Sequence, residues 1–282
     1  MSINILCIGD VVGRPGRAVL AEHLSRFINE RSVEFVICNA ENSAGGSGIT
    51  PQIFRKLLSY GVDVVTLGDH VYRKRDVIQA LETSDRIIRP ANLSAAAVGR
   101  RWTVVPSKSG LYQVGVCCAL GQMYMTSCDS PWAAVDRVMN EMPGDVKIRV
   151  MDFHAEASSE KIAMGWHLNG RASIVFGTHT HIATADYRVL DKGTAYISDV
   201  GMTGPFDGVL GRRKDRVLAA FTTHMPHHFE VTTGDPRMSG ILATINPDTG
   251  RALAIERIEI CGSPIQGGAY DADDGRPQRP GD

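Results

Sequence analysis

Residues 3–8 form a continuous apolar run that empties into Gly9-Asp10. A run of that length without alternation is how a strand buried on both faces reads, so a helix is expected to follow and carry the chain back. Pro15 suits a first helical turn, and Val19, Leu20, Leu24, Phe27 and Ile28 recur at helical spacing as far as Asn29. The same pattern then repeats. Residues 33–38 read as a second strand and 39–48 as a glycine-rich loop. Thr50-Pro51 supplies an N-cap with proline in the first turn, ahead of Ile53, Phe54, Leu57 and Leu58, and 62–67 make a third strand. A β-α-β-α-β order with a period of about thirty residues matches a crossover unit and predicts a parallel sheet with right-handed connections.

Farther along, 101–105 and 112–117 read as strands, 132–142 as a helix, and 146–152 and 174–176 as strands ending in polar residues, with a short helix over 160–168 between them. From Thr194 the pattern turns strand-rich, with 195–197, 228–232, 241–245 and 253–260 interrupted by one helix at 213–221. This predicts a second, more antiparallel sheet. After Cys261 the composition shifts to Gly, Pro and Asp and the chain ends DADDGRPQRPGD. So little apolar surface cannot offset the entropy of ordering, so 1–262 are expected to form one domain and 263–282 a disordered tail.

Composition narrows the function classes. With 282 residues and 43% hydrophobic content the chain can fill a sizeable core. Thirty basic residues against thirty-one acidic leave a net charge of −1, which offers no general field for nucleic acid or anionic lipid. No apolar run reaches the length of a membrane span, and the N-terminal dozen residues lack a basic leader and a small-residue cleavage site. A cytoplasmic protein without a membrane partner is the expectation. The six cysteines contain no C-x-x-C spacing and read as reduced thiols, with Cys7 and Cys38 as small buried hydrophobes. Nine histidines are the feature that asks for an explanation.

Their placement supplies one. The strand ends carry Gly9-Asp10, Asn39-Ala40-Glu41-Asn42, Gly68-Asp69-His70, Asp152-Phe153-His154 and Gly177-Thr178-His179-Thr180-His181. In an open α/β sheet the carboxyl ends of parallel strands line the ligand crevice, so these groups are expected to converge there. Each has an ordinary reading alone: Asp10 as a turn or cap residue, Asn42 as a loop cap, His-x-His as a surface pair. Together, two carboxylates, three or four imidazoles and a side-chain amide exceed the needs of one tetrahedral ion. Two ions roughly 3.5–4 Å apart, holding a hydroxide between them and clamping a phosphoester, are the economical reading.

The segments GDVVGRPGR, NAENSAGGSGIT, GDHVY, RPANL, DFHAEASSEKIAMGWHLNGRAS, GTHTHIATAD and AYISDVGMTGPFDGVLG, running from residue 3 to about 260, resemble in order and spacing the YmdB-like branch of the calcineurin-like metallophosphoesterases. The resemblance implies an α/β fold, the metallophosphoesterase four-layer α/β/β/α sandwich. It also implies two divalent or trivalent ions, iron or manganese first and zinc or magnesium as alternatives. The implied substrate is a small phosphodiester such as a 2′,3′-cyclic nucleotide, RNA-derived, acted on by a homo-oligomeric enzyme. By matching motif, Asp10 and His181 would hold one ion with Glu41 bridging, and Asp69, His154 and His179 the other. Asn42 would lie beside them, and His70 would be the catalytic acid or phosphate contact.

Asp10 is followed by Val11-Val12, where the wider superfamily has Asp-x-His, and this agrees with the branch. The second departure belongs to this chain: the family Gly-Asn-His reads Gly68-Asp69-His70, a carboxylate in place of an amide. That substitution is the hint for a second reading, a metal-containing regulatory protein that senses a nucleotide with little or no turnover. A (β/α)₈ metal hydrolase fits less well, because its His-x-His belongs on the first strand. Gly45-Gly46-Ser47-Gly48 lacks the Lys and Ser/Thr of a P-loop and reads as a mobile loop flanking Glu41, with Arg14 or Arg17 near enough to touch a phosphate. His224, His227 and His228 fall outside the constellation, and Ser158-Ser159-Glu160 reads as a helix start.

Overall fold

A computed structural model describes residues 2–275. The first part comprises β1 (Ile3–Ile8), α1 (Gly13–Glu30), β2 (Val33–Asn39), α2 (Pro51–Tyr60), β3 (Val64–Thr66), α3 (Val77–Thr83) and β4 (Ile87–Ile88). The second comprises β5 (Trp102–Pro106), β6 (Gln113–Leu120), α4 (Pro131–Glu141), β7 (Ile148–His154), α5 (Ser158–His167), β8 (Ile174–Thr178), β9 (Arg188–Val189) and β10 (Ala195–Ile197). The chain closes with β11 (Gly204–Pro205), α6 (Lys214–Thr223), β12 (Pro236–Ile245), β13 (Ala252–Cys261) and a 3₁₀ turn at Ala272–Asp274. Local chemistry explains the boundaries. In α2, Thr50 Oγ1 accepts from the Ile53 amide at 3.3 Å, Pro51 occupies the first turn, and Gly61 ends the helix at φ 112°.

The strands form two sheets, ordered β11-β12-β1-β2-β3-β4, with β13 on β12, and β5-β6-β7-β8-β10-β9. Strands β1 to β4 are mutually parallel, as are β6, β7, β8 and β10. Ile5, Cys7, Phe35, Ile37 and Val64 of one sheet pack on Val114, Val116, Val150, Ile174 and Phe176 of the other, all buried. The opposite face of the first sheet takes Leu20, Leu24, Phe54 and Leu57 from α1 and α2. That of the second takes Val135, Val138 and Met164 from α4 and α5. The result is the four-layer α/β/β/α sandwich, and it explains why the central strands read as unbroken apolar runs: both faces are covered.

Two expectations change. The strand-rich C-terminal part does not build a sheet of its own. Antiparallel pairing places β12 on the free edge of β1 and β13 on β12, whereas β10 joins the second sheet parallel to β8. Backbone groups at the β1 edge are satisfied by this return, and Gly240 permits it, since a Cβ there would stand 2.3 Å from the Cys7 carbonyl oxygen. Residues 228–232 are not a strand, with only an isolated bridge between Arg212 and Val231. Where composition predicts disorder after residue 262, the described part up to Gly275 returns along α1 and ends in an Asp271–Asp274 capping box; 276–282 lie outside the described residues. Cys7 and Cys38 are fully buried, and burial pushes both thiols well above their usual range.

Candidate metal centre

The parallel strands of both sheets deliver their carboxyl ends to one crevice. Asp10 follows β1, Glu41 and Asn42 follow β2, Asp69 and His70 follow β3, His154 closes β7, and His179 and His181 follow β8. All eight predicted residues are brought to this place. His154 is fully buried, and its Nε2 stands 3.1 Å from Asp69 Oδ1, 3.2 Å from Glu41 Oε1 and 3.1 Å from His179 Nδ1. One donor atom from each of these four residues lies within 4.8 Å of the others. Asp10 and His181 sit beside them, with His181 Nε2 4.0 Å from Asp10 Oδ1. His70 lies on the open side, its Nδ1 3.0 Å from Glu41 Oε1 and 3.0 Å from Asn42 Nδ2.

The backbone is shaped to allow this convergence. A Cβ at Gly68 would stand 2.2 Å from Glu41 Oε2 and 2.3 Å from His154 Nε2, so only glycine leaves room for the cluster. A Cβ at Gly177 would fall 1.7 Å from the Ser198 carbonyl oxygen. His179 and His181 both adopt positive φ, 95° and 64°, a costly region for residues with a Cβ. Their turn is held from behind by Asp199, whose Oδ2 accepts from the Thr180 amide at 3.2 Å, from Thr180 Oγ1 at 2.8 Å and from the buried Lys161 Nζ at 2.6 Å.

A second layer settles which imidazole nitrogen faces inward. Buried Asp152 accepts from Asn39 Nδ2 at 2.9 Å, Thr66 Oγ1 at 2.5 Å and Thr178 Oγ1 at 2.7 Å. The only hydroxyl proton of Thr178 goes to Asp152, so at the 2.8 Å contact Thr178 Oγ1 accepts from His154 Nδ1–H. His154 Nε2 is thereby aimed at the cluster. Glu156 Oε2, 3.2 Å from His179 Nε2, turns His179 Nδ1 the same way. Asn39, Asp152 and Thr178 stand in the strand-end segments that the sequence singles out, but without a role there; Glu156, Lys161 and Asp199 are neighbours that the sequence does not mark. Asp152 shares a strand face with His154 two residues on, the signal for its supporting place.

Electrostatics shows what the residues lack. Burial pushes the Asp10 carboxyl up to about 7, against the opposing pull of His154. Burial also acts to raise Glu41 and Asp69, but the surrounding imidazoles win and hold both well below the usual carboxylate range. His154 is pulled upward by Glu41 and Asp69 despite its burial. Asp10 Oδ1 and Asn42 Oδ1 are buried without a hydrogen-bond partner. The carboxylate and imidazole donors of Glu41, Asp69, His154 and His179 come together as a set that could hold a cation, and this oxygen and nitrogen chemistry suits a divalent or trivalent metal. The residues present fit such a group.

Not every predicted contact forms. Arg17 does not face the crevice: it pairs with Asp271 and Asp274 at 2.8 and 2.7 Å. The 44–48 loop is pinned by hydrogen bonds from Arg212 to the Gly45 and Gly46 carbonyls and from Asn42 Nδ2 to Gly46 O. Beyond that loop lies a cavity of about 630 Å³ bordered by Ser47, Arg212, Phe229 and Tyr270. Among the described residues, no helix is long and apolar enough to cross a membrane.

Comparison with known proteins agrees with this geometry. The model of the YmdB-like protein family matches residues 6–258. A Bacillus subtilis protein named 2′,3′-cyclic-nucleotide 2′-phosphodiesterase is 40% identical over 258 residues, covering 92% of this chain and 97% of that one. The crystal structure of a novel phosphatase from Mycoplasma pneumoniae superposes with a TM-score of 0.86 at 29% identity, covering 93% of this chain and 94% of that one. A Candida albicans 5′-nucleotidase, at 13% identity and a TM-score of 0.54 over 92% of this chain and 52% of its own, shares the fold. With a matching fold, a matching family model and a crevice lined by possible metal ligands, the chain belongs to the YmdB-like family and is a phosphoesterase.

Proposed function

We propose that this protein hydrolyses a phosphodiester bond of 2′,3′-cyclic nucleotides at a centre of two metal ions, iron or manganese. The observation that carries the reading is the convergence of Glu41, Asp69, His154 and His179 donor atoms within 4.8 Å, next to the orphaned oxygens of Asp10 and Asn42. Asp69, His154 and His179 would hold one ion and Asp10 and His181 the other, with Glu41 between them and Asn42 beside. Bound ions at such a centre supply Lewis acidity toward the phosphoryl oxygens and activate water.

The remaining work falls to the chain's own groups. Asp152 through Thr178, and Glu156 directly, orient the two imidazoles. His70 is held at Nδ1 by Glu41, and its side chain is 24% exposed at the mouth. As water adds to phosphorus and a ring P–O bond breaks, the leaving ribose oxygen takes its proton from His70 Nε2. The name of the Bacillus relative supports the substrate class. The test is to strip the protein with chelator, reload it with manganese or iron, and follow 2′,3′-cyclic AMP by phosphorus NMR. Conversion to a nucleoside monophosphate with two ions per chain is expected. Tight binding without product would establish the sensing role that Asp69 suggests.

A further inference from the structure

The family match ends at residue 258, yet the chain continues and comes back to the loop that follows Glu41 and Asn42. Ser263 is held by Glu22 through its amide at 2.9 Å and its hydroxyl at 2.6 Å, and Arg14 NH1 donates to the Gly268 carbonyl at 2.6 Å. Tyr270 lies against Gly45, where a Cβ would meet Tyr270 Cε1 at 3.0 Å, and its hydroxyl accepts from the Val231 amide at 3.3 Å. Asp274 Oδ1 then accepts from the Gly45 amide at 2.8 Å and from Arg17 NH1 at 2.7 Å. Arg17 closes the set by donating to the Ser43 carbonyl and to Asp271 Oδ1 at 2.8 Å.

We infer that residues 268–275 are a strap that positions the Glu41-Asn42 loop. The contacts fall on Ser43 and Gly45, the backbone immediately after the two proposed ligands, and they are made by a buried ion pair whose side chains are 5% and 6% exposed. Such a pair holds its geometry because the alternative is an uncompensated charge in the interior. Gly45 has φ 59°, a conformation its neighbours must maintain, and the Asp274 hydrogen bond falls on its amide. Asp274 and Arg17 touch no reacting atom in this assignment. They act through the loop.

The inference rests on Glu41 and Asn42 being ligands, so its test is read without substrate. In the full-length protein, Asp274→Ala is expected to speed loss of manganese to a chelator at least tenfold, and to speed hydrogen exchange at the Gly45 amide in the metal-free protein. Asp274→Glu restores part of both, and Lys56→Ala, which removes only the exposed partner of Asp273, changes neither. If Asp274→Ala fails to fold, Asp274→Leu, which can neither accept from Gly45 nor neutralise Arg17 but fills the same space, provides the same two readouts. Unaltered metal loss and Gly45 exchange in these variants would overturn the strap. Faster Gly45 exchange with unaltered metal loss would also overturn it, by showing that the loop's order does not reach the centre. A failure to hydrolyse cyclic nucleotides would leave both measurements standing.

Discussion

Thr178 Oγ1 donates to Asp152 Oδ1 at 2.7 Å in a site where both residues are fully buried. Because that proton is committed, the threonine oxygen must receive the Nδ1–H of His154, and the other ring nitrogen is presented to Glu41 and Asp69. Thr178→Val removes the relay while keeping the shape. Metal affinity is expected to fall about 10- to 100-fold, the usual cost of losing such a partner, while Thr178→Ser retains most of it. Calorimetric titration of the stripped protein with manganese measures both.

The glycine at position 68 is as exacting as any ligand. With a Cβ placed 2.2 Å from Glu41 Oε2, Gly68→Ala must displace either the carboxylate or the His154 ring. The variant is expected to bind less than one ion per chain and to lose activity by about 100-fold or more, since an ångström-scale displacement has that cost. Gly144→Ala, where a Cβ meets nothing within 4 Å, serves as the unaffected comparison.

Metal uptake should be steeply pH-dependent. In the metal-free protein Asp10 keeps its proton up to about 7, and His154 holds its second proton well above the ordinary imidazole range. Both must leave for a cation to bind. Apparent affinity should therefore rise by up to about two log units per pH unit below 7 and about one above it. For Asp10 alone the stability sign is opposite. Its folded value is raised, so its contribution to metal-free stability is complete below the unfolded value of 3.8 and is lost as pH rises toward about 7. Titrations in buffers of different ionisation enthalpy count the released protons; a pH-independent count near zero contradicts the prediction.

Asp69 places a carboxylate at the centre where an asparagine would be neutral. Its carboxylate contacts His154 at 3.1 Å and His179 at 3.6 Å, both on the cluster side. Asp69→Asn is expected to release ions to chelator faster and to move the acid limb of the pH–rate profile down by about one unit, the effect of removing one nearby like charge. Identical profiles for the two proteins would show that residue 69 does not tune the reaction.

Much of this architecture was legible along the chain, for a physical reason. Strands covered on both faces must be apolar throughout and helices on a sheet must be amphipathic, so periodicity marked β1, α1, β2, α2 and β3 in order. Each strand also had to discharge its polar residues at its carboxyl end, which exposed Asp10, Glu41, Asp69, His154 and His179 as a group. What periodicity does not encode is pairing across long sequence separations. The Asp152–Thr178 bond behind His154 spans 26 residues, the contact of Asp274 with Gly45 spans 229, and the return of β12 to the edge of β1 sets Ile3 against Ile245. The tail shows the limit most clearly. Its sequence offers almost no apolar area and reads as disorder, yet buried Arg17 needs a counter-charge and the Gly45 amide needs an acceptor. Only the folded chain, which brings those two demands together, could decide that Asp271 and Asp274 would meet them.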